Sequence, residues 1–132
     1  IVCVDDHNGM MFNHRRQSQD RILRADILEL TGGKKLWMNA YSKKQFAESD
    51  TARIRVNETF LDAAGDGEFC FVENADVSGC VERIGEIYLY RWNRDYPADV
   101  YFPVDLSVWK CVETKEFAGS SHEKITRERY TR

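Results

Sequence analysis

Residues 7–21 read HNGMMFNHRRQSQDR, placing two of the three histidines, His7 and His14, beside Arg15, Arg16 and Arg21. Such a group could cleave a phosphodiester, with one imidazole as base, the other as acid and an arginine on the phosphate. No spacing within it is diagnostic, and a solvated loop running into a helix start accounts for it better. A ribonuclease or phosphodiesterase using His7, His14 and Arg15 therefore stands as an alternative reading. His122 lies alone in a polar loop, where a solvated ring is expected. Three histidines without an HxHxDH run exclude a zinc hydrolase of that type, so no metal site is expected. GxSxG, GxxxxGK[ST] and GxGxxG are absent.

A second stretch of chemical interest is FCFVENADVSG at 69–79. An apolar run stops at Glu73-Asn74 before a short, helix-compatible segment. Strand-to-helix turns that cradle phosphate are usually glycine-rich, because backbone N–H groups must come close to the anion. This turn offers a carboxylate instead. It also lies in the acidic half of the chain. Residues 57–90 carry eight Asp/Glu and one Arg, whereas residues 14–35 carry six Arg/Lys and three Asp/Glu. A polyphosphate docking at the turn would meet repulsion.

The elements that must position these groups follow from periodicity. IVCV (1–4) reads as a buried strand closed by DDHNG. Ser18 is a suitable N-cap for a helix over 19–31, with Leu23, Ile27 and Leu30 on one face and a stop at Thr31-Gly32-Gly33. KLWM (35–38) and RIRV (53–56) read as strands. Ser42 can cap a short helix through Phe46, and Asn57 a helix ending at Gly65. EFCFV (68–72) is a continuous apolar run, as in buried parallel strands. A short helix is expected to end at Ile84. EIYLYRW (86–92) is a strand with Tyr88 and Tyr90 on one face. DVYFPVDLSVWKCVETKEF and EKITRERYTR read as further strands. Strand and helix alternate early and strands dominate late, which predicts an α/β fold with a mostly parallel sheet and an antiparallel C-terminal edge.

The 132 residues suit one domain spanning 1–132, with no linker, repeat or membrane-length apolar run. A net charge of −3 argues against nucleic-acid binding. Cys3, Cys70, Cys80 and Cys111 have no CxxC spacing and read as buried free thiols of a cytoplasmic protein. Trp37, Trp92 and Trp109 are expected in the core. No signal peptide is visible, and the chain opens at Ile1 rather than Met.

Residues 84–113 carry Glu86-Ile87-Tyr88-Leu89, Ala98-Asp99, Phe102-Pro103 and Asp105-Leu106-Ser107-Val108-Trp109 in an order that resembles dihydrofolate reductase. Val2-Cys3-Val4-Asp5, Asn8-Gly9-Met10 with Asn13, TGGKKLWMN and FCFVEN resemble that family's opening strand and loop, second strand and "vfviGG" strand. The resemblance implies a dihydrofolate reductase-like three-layer sandwich. Between Met38 and Glu73 the chain is shorter than the family by one strand unit. The family's phosphate-holding glycine pair is replaced by Glu73-Asn74, and its "GR.T" by a segment containing Asn39 and Ser42. A side chain where backbone must approach pyrophosphate blocks it. The resemblance therefore implies a degraded NADPH site at Asn39, Ser42, Glu73 and Asn74.

On the substrate side, Asp20 sits near the family's pterin-holding acid, although acids are also favoured in a helix's first turn. The family's "LPW" is replaced by Arg15-Arg16-Gln17, and its Thr after "YL" by Tyr90. Asp20, Asn13, Arg15 and Tyr90 are the candidate ligand residues, forming a polar, partly plugged pocket. The leading expectation is a diverged reductase-like protein without NADPH-dependent activity, binding a small polar ligand or a protein partner. An NADPH- or flavin-dependent reductase of a pterin-like substrate, with Asp20 as proton donor or anchor, is the enzyme alternative. A shortened sheet leaves an edge that a homodimer would cover.

Overall fold

Val2–Val4, the opening strand β1, pairs in parallel with a strand more than 80 residues away. A computed structural model describes residues 1–47 and 52–132. The further strands are β2 (Gly9–Phe12), β3 (Arg15–Arg16), β4 (Leu36–Met38), β5 (Ile54–Val56), β6 (Phe69–Cys70), β7 (Glu86–Arg91), β8 (Val100–Tyr101), β9 (Lys110–Phe117) and β10 (Ile125–Thr131). The α-helices are α1 (Arg21–Leu30), α2 (Ala40–Lys43) and α3 (Phe60–Ala63).

β5, β4 and β6 pair in parallel, as do β1 and β7, while β10 runs antiparallel to both β7 and β9. A parallel bridge between Val2 and Val72, with the Val72 N–H donating to the Ile1 carbonyl at 2.9 Å, joins the two groups. The result is one mixed sheet ordered β5-β4-β6-β1-β7-β10-β9, parallel except at its C-terminal edge. The described residues between β4 and β6 supply the single strand β5. A small sheet, β3-β2-β8, flanks it.

Alternation along the strands builds a core on each face. On one face, Leu36, Met38, Phe71 and Tyr90 pack against Leu23 and Ile27 of α1 and against Phe46. On the other, Val2, Val4, Ile87 and Leu89 pack with Phe60 of α3, Val77 and Trp109. The α1 stripe also carries Asp26, buried at the sheet. Its carboxylate accepts from the Tyr90 hydroxyl at 2.6 Å, Arg127 at 2.7 Å and Lys115 at 3.0 Å. Burial raises the Asp26 carboxyl, but the hydroxyl and two cations outweigh it and hold the group below the usual carboxylate range. Burial and the Asp26 charge push the Tyr90 hydroxyl well above its ordinary value.

Several boundaries differ from the sequence reading. Helix α1 begins at Arg21, and Asp20 caps it instead of Ser18, because the Asp20 carboxylate reaches the N–H groups of Ile22 and Leu23. Asn39, not Ser42, caps α2, and a 3-10 turn at Lys44–Phe46 continues it. Asn57 accepts from the N–H and hydroxyl of Thr59, making a turn before α3. The segment before Ile84 is a 3-10 turn, Val81–Arg83. A 3-10 turn at Leu106–Val108 divides the expected long strand into β8 and β9. Trp92 and Trp109 are buried, whereas Trp37 is half-buried with its indole N–H on Glu68 at 2.9 Å. The thiols are free but not fully buried: Cys3, Cys70 and Cys80 are half-buried and Cys111 is exposed on β9. Among the described residues no helix is long and apolar enough to cross a membrane.

Tyr90→Phe leaves Asp26 one donor short in a closed site. It should lower unfolding stability by about 1.5–3 kcal/mol, read as a shift of the urea midpoint at unchanged slope.

Candidate functional site

The carboxyl ends of β1, β4 and β6 converge on one corner, the position where open α/β sheets bind ligands. Four sequence-flagged residues meet there. Asn39, just past β4, donates its amide to the Asn74 side chain at 2.7 Å and accepts from the Ser42 N–H at 3.0 Å. Beside them Glu73 takes a two-pronged grip from Arg16, Nε at 2.8 Å and Nη2 at 3.2 Å. Tyr41 seats the arginine from below: its ring lies 4.4 Å under the guanidinium and its hydroxyl accepts the Arg16 N–H at 2.7 Å. The Asn39, Asn74, Glu73 and Arg16 side chains pair with one another across the turn, while the buried Ser42 hydroxyl has no partner among the described residues. The crevice beneath them, lined by Cys3, Arg16, Leu23, Phe71, Glu73 and Trp92, holds about 10 Å³. That admits one water and no ring.

The four candidate ligand residues separate. Asn13 and Arg15 line an open depression of about 360 Å³ with Phe12, Gln17, Tyr96 and Pro97. Tyr90 is fully buried on Asp26. Asp20 is 2% exposed. Its Oδ1 accepts from the N–H groups of Ile22, Leu23 and Ser120 at 2.9–3.1 Å. Its Oδ2 faces the Ser121 N–H and hydroxyl and the Nδ1 of His122 at 2.9–3.2 Å. Burial raises this carboxyl, yet the Ser120 and Ser121 amides and His122 overcome it and hold the group far below the usual range. Asp20 is thus ionised at neutral pH, and both of its oxygens are already spent on protein donors.

His122 was expected to be solvated, and this is corrected. It is 5% exposed and stacks on Trp92 with ring centroids 4.5 Å apart. Besides Asp20, it meets the Ser18 hydroxyl at 3.1 Å and the Tyr96 hydroxyl at 3.0 Å, both through Nε2. Sequence reasoning had no signal for this contact, since Asp20 and His122 lie 102 residues apart. Asp26 did carry one: positions 23, 26, 27 and 30 share a helical face, and a carboxylate on an apolar stripe needs partners.

His7 and His14 flank β2 at its two ends. The four strand residues between them span roughly 13 Å. His7 is exposed and lies 3.2 Å from Asp95, and His14 is exposed in a left-handed turn. A wider groove of about 660 Å³, lined by Leu61, Phe69, Cys70, Cys80 and Ile87 among others, opens at the amino ends of β6 and β7. Among the described residues no group of three or more metal-ligating side chains converges.

The chain matches no family model and no curated protein sequence. Among solved structures it is similar to dihydrofolate reductase from Enterococcus faecalis complexed with NADP(H) and RAB-propyl, with a TM-score of 0.70 and 12% sequence identity. The match covers 99% of this chain and 93% of that one. The fold is dihydrofolate reductase-like. The fold, a mostly parallel mixed sheet with an antiparallel C-terminal edge, is therefore the one the sequence resemblance implied.

Three outcomes follow from this geometry. Arg16→Ala leaves Glu73 buried without its cation and should cost about 3 kcal/mol in a urea titration. Gly119→Ala puts a methyl against the Asp20 carboxylate and within 2.9 Å of Ile125, and should lower the melting temperature by several degrees. Asp5, Asp20 and Asp26 all have folded-state pKa values below their unfolded ones. Their contribution to stability is therefore fully present above the unfolded value, about pH 4, and is lost as pH falls through the folded values. Urea midpoints should be flat from pH 6 to 5 and drop below pH 4, with a shallower acid limb in Asp20→Ala.

Proposed function

We propose that this chain is a diverged dihydrofolate reductase-like protein that does not use NADPH and binds a small polar ligand in the depression lined by Asn13 and Arg15. The observation that carries the reading is the Arg16–Glu73 pair, seated on Tyr41 at the carboxyl ends of the strands. A pyrophosphate entering there would meet a carboxylate in place of free backbone N–H groups, and would have to break a half-buried ion pair. The Asn39–Asn74 bond closes the same corner from the β4 side.

Asp20 enters this reading as a structural cap, because an ionised carboxylate with filled acceptors supplies neither a proton nor an anchor. Arg15 and Asn13 supply the recognition. The Arg15 side chain makes no hydrogen bond or ion pair among the described residues, so its charge is available to an anionic group. The open β9 edge, with exposed Val112 on the strand and Val108 in the turn before it, supports a homodimer formed along that strand. The four unpaired thiols fit a cytoplasmic setting.

A ligand that binds the native state raises its melting temperature. NADPH and flavin mononucleotide at millimolar concentration should each leave it unchanged. A rise of several degrees with either would overturn the reading. Light scattering at micromolar concentration should give twice the chain mass, and a monomer would remove the β9 dimer.

A further inference from the structure

Beside the closed corner, three side chains from distant parts of the chain line up. The Ser18 hydroxyl lies 3.1 Å from Nε2 of His122, and Nδ1 of the same ring lies 3.0 Å from Oδ2 of Asp20. We infer that Ser18, His122 and Asp20 form a nucleophile–base–carboxylate relay able to hydrolyse a small ester of an aromatic alcohol. Such relays are recognised by geometry and role, independently of fold and of order along the chain.

Five observations support the roles. Asp20 is an acceptor only, so it fixes a ring proton on Nδ1, and in the neutral ring the lone pair then lies on Nε2, facing the hydroxyl. The ring cannot turn away, since it is buried and stacked on Trp92. Ser18, unlike His122, is half-exposed and lies at the edge of the crevice it shares with Arg16, Gln17 and Gln45. The Gln45 amide lines the same crevice, has no hydrogen-bond partner among the described residues, and would be the donor to a developing oxyanion. The depression that shares Arg16 and Gln17 with this crevice presents Phe12, Tyr96 and Pro97 to an aromatic leaving group. Tyr96 also reaches Nε2, at 3.0 Å, so the two hydroxyls share one lone pair in the resting state.

In the reaction, Ser18 Oγ adds to the ester carbonyl carbon while His122 Nε2 takes the hydroxyl proton. The adduct collapses with cleavage of the carbon–oxygen bond, and Nε2 returns the proton to the departing alkoxide. Water then repeats the two steps on the acyl-serine, releasing the acid and restoring the hydroxyl. The balance is one ester and one water to one acid and one alcohol, with no redox change. The inference uses the depression named above as its binding surface but not the cofactor reading, and its test contains no nucleotide.

The test is covalent labelling of the whole chain with an alkyl fluorophosphonate, in which Oγ displaces fluoride. One adduct per chain, mapped to Ser18, is expected. It should be absent in Ser18→Ala and unchanged in the remote control Ser107→Ala. Hydrolysis of p-nitrophenyl acetate should fall roughly 100-fold or more in Ser18→Ala. No adduct, an adduct on another residue, or full hydrolysis by Ser18→Ala would each overturn the inference. Imidazole ¹⁵N shifts of the unmodified protein give a second check that no variant can confuse. They should report the proton on Nδ1, and a proton on Nε2 would equally end it.

Discussion

The Asp20 carboxylate holds this molecule together at its busiest junction. It caps α1 by accepting from Ile22 and Leu23, and with its remaining capacity it grips the Ser120–His122 loop between β9 and β10. A helix terminus and a hairpin loop are both rich in backbone N–H groups without partners. One buried anion satisfies both at once. Gly119 is required in the same place, because any side chain there would strike the carboxylate. The position of α1 over the sheet, and hence the core built on Leu23 and Ile27, depends on this anchor.

A second buried carboxylate, Asp26, repeats the scheme nearly two turns further along α1, with Tyr90, Arg127 and Lys115 as its partners. Together the two acids fasten one helix to β7, β9, β10 and the loop before β10. The remaining corner, at the ends of β4 and β6, is closed by Arg16 and Glu73. All three arrangements bury a charge only where donors or an opposite charge already wait. The corner at the carboxyl ends of β4 and β6 is filled by paired side chains, and the larger spaces lie beside it and at the amino ends of the strands.

Most of the architecture was legible in the chain, because strand alternation and helix stripes are local properties. The runs IVCV, EFCFV and EIYLYRW each landed in the sheet, and the faces of Tyr88 and Tyr90 were read correctly. The replacement of a glycine pair by Glu73-Asn74 was likewise visible, since it concerns which residue types can lie near an anion. What the sequence hid was pairing at a distance. Asp20 looked like an ordinary first-turn acid, Ser18 like a cap and His122 like a solvated ring. Only the folded chain brings the three within 3.1 Å. Arg16 was read only as part of the stretch that replaces the family's "LPW", and its partner Glu73, 57 residues on, could not be named in advance.

The reach of the Asp20 contacts has a bearing on how the chain comes together in time. The helix start is finished by groups about a hundred residues downstream. Closing so long a loop is entropically slow, and structures dominated by such contacts fold late and cooperatively. During synthesis, residues 1–117 would emerge with the α1 amide groups served only by the local cap and with the acid still facing water. The β9–β10 hairpin would then complete α1, so residues made about a hundred positions later would govern when this helix becomes committed.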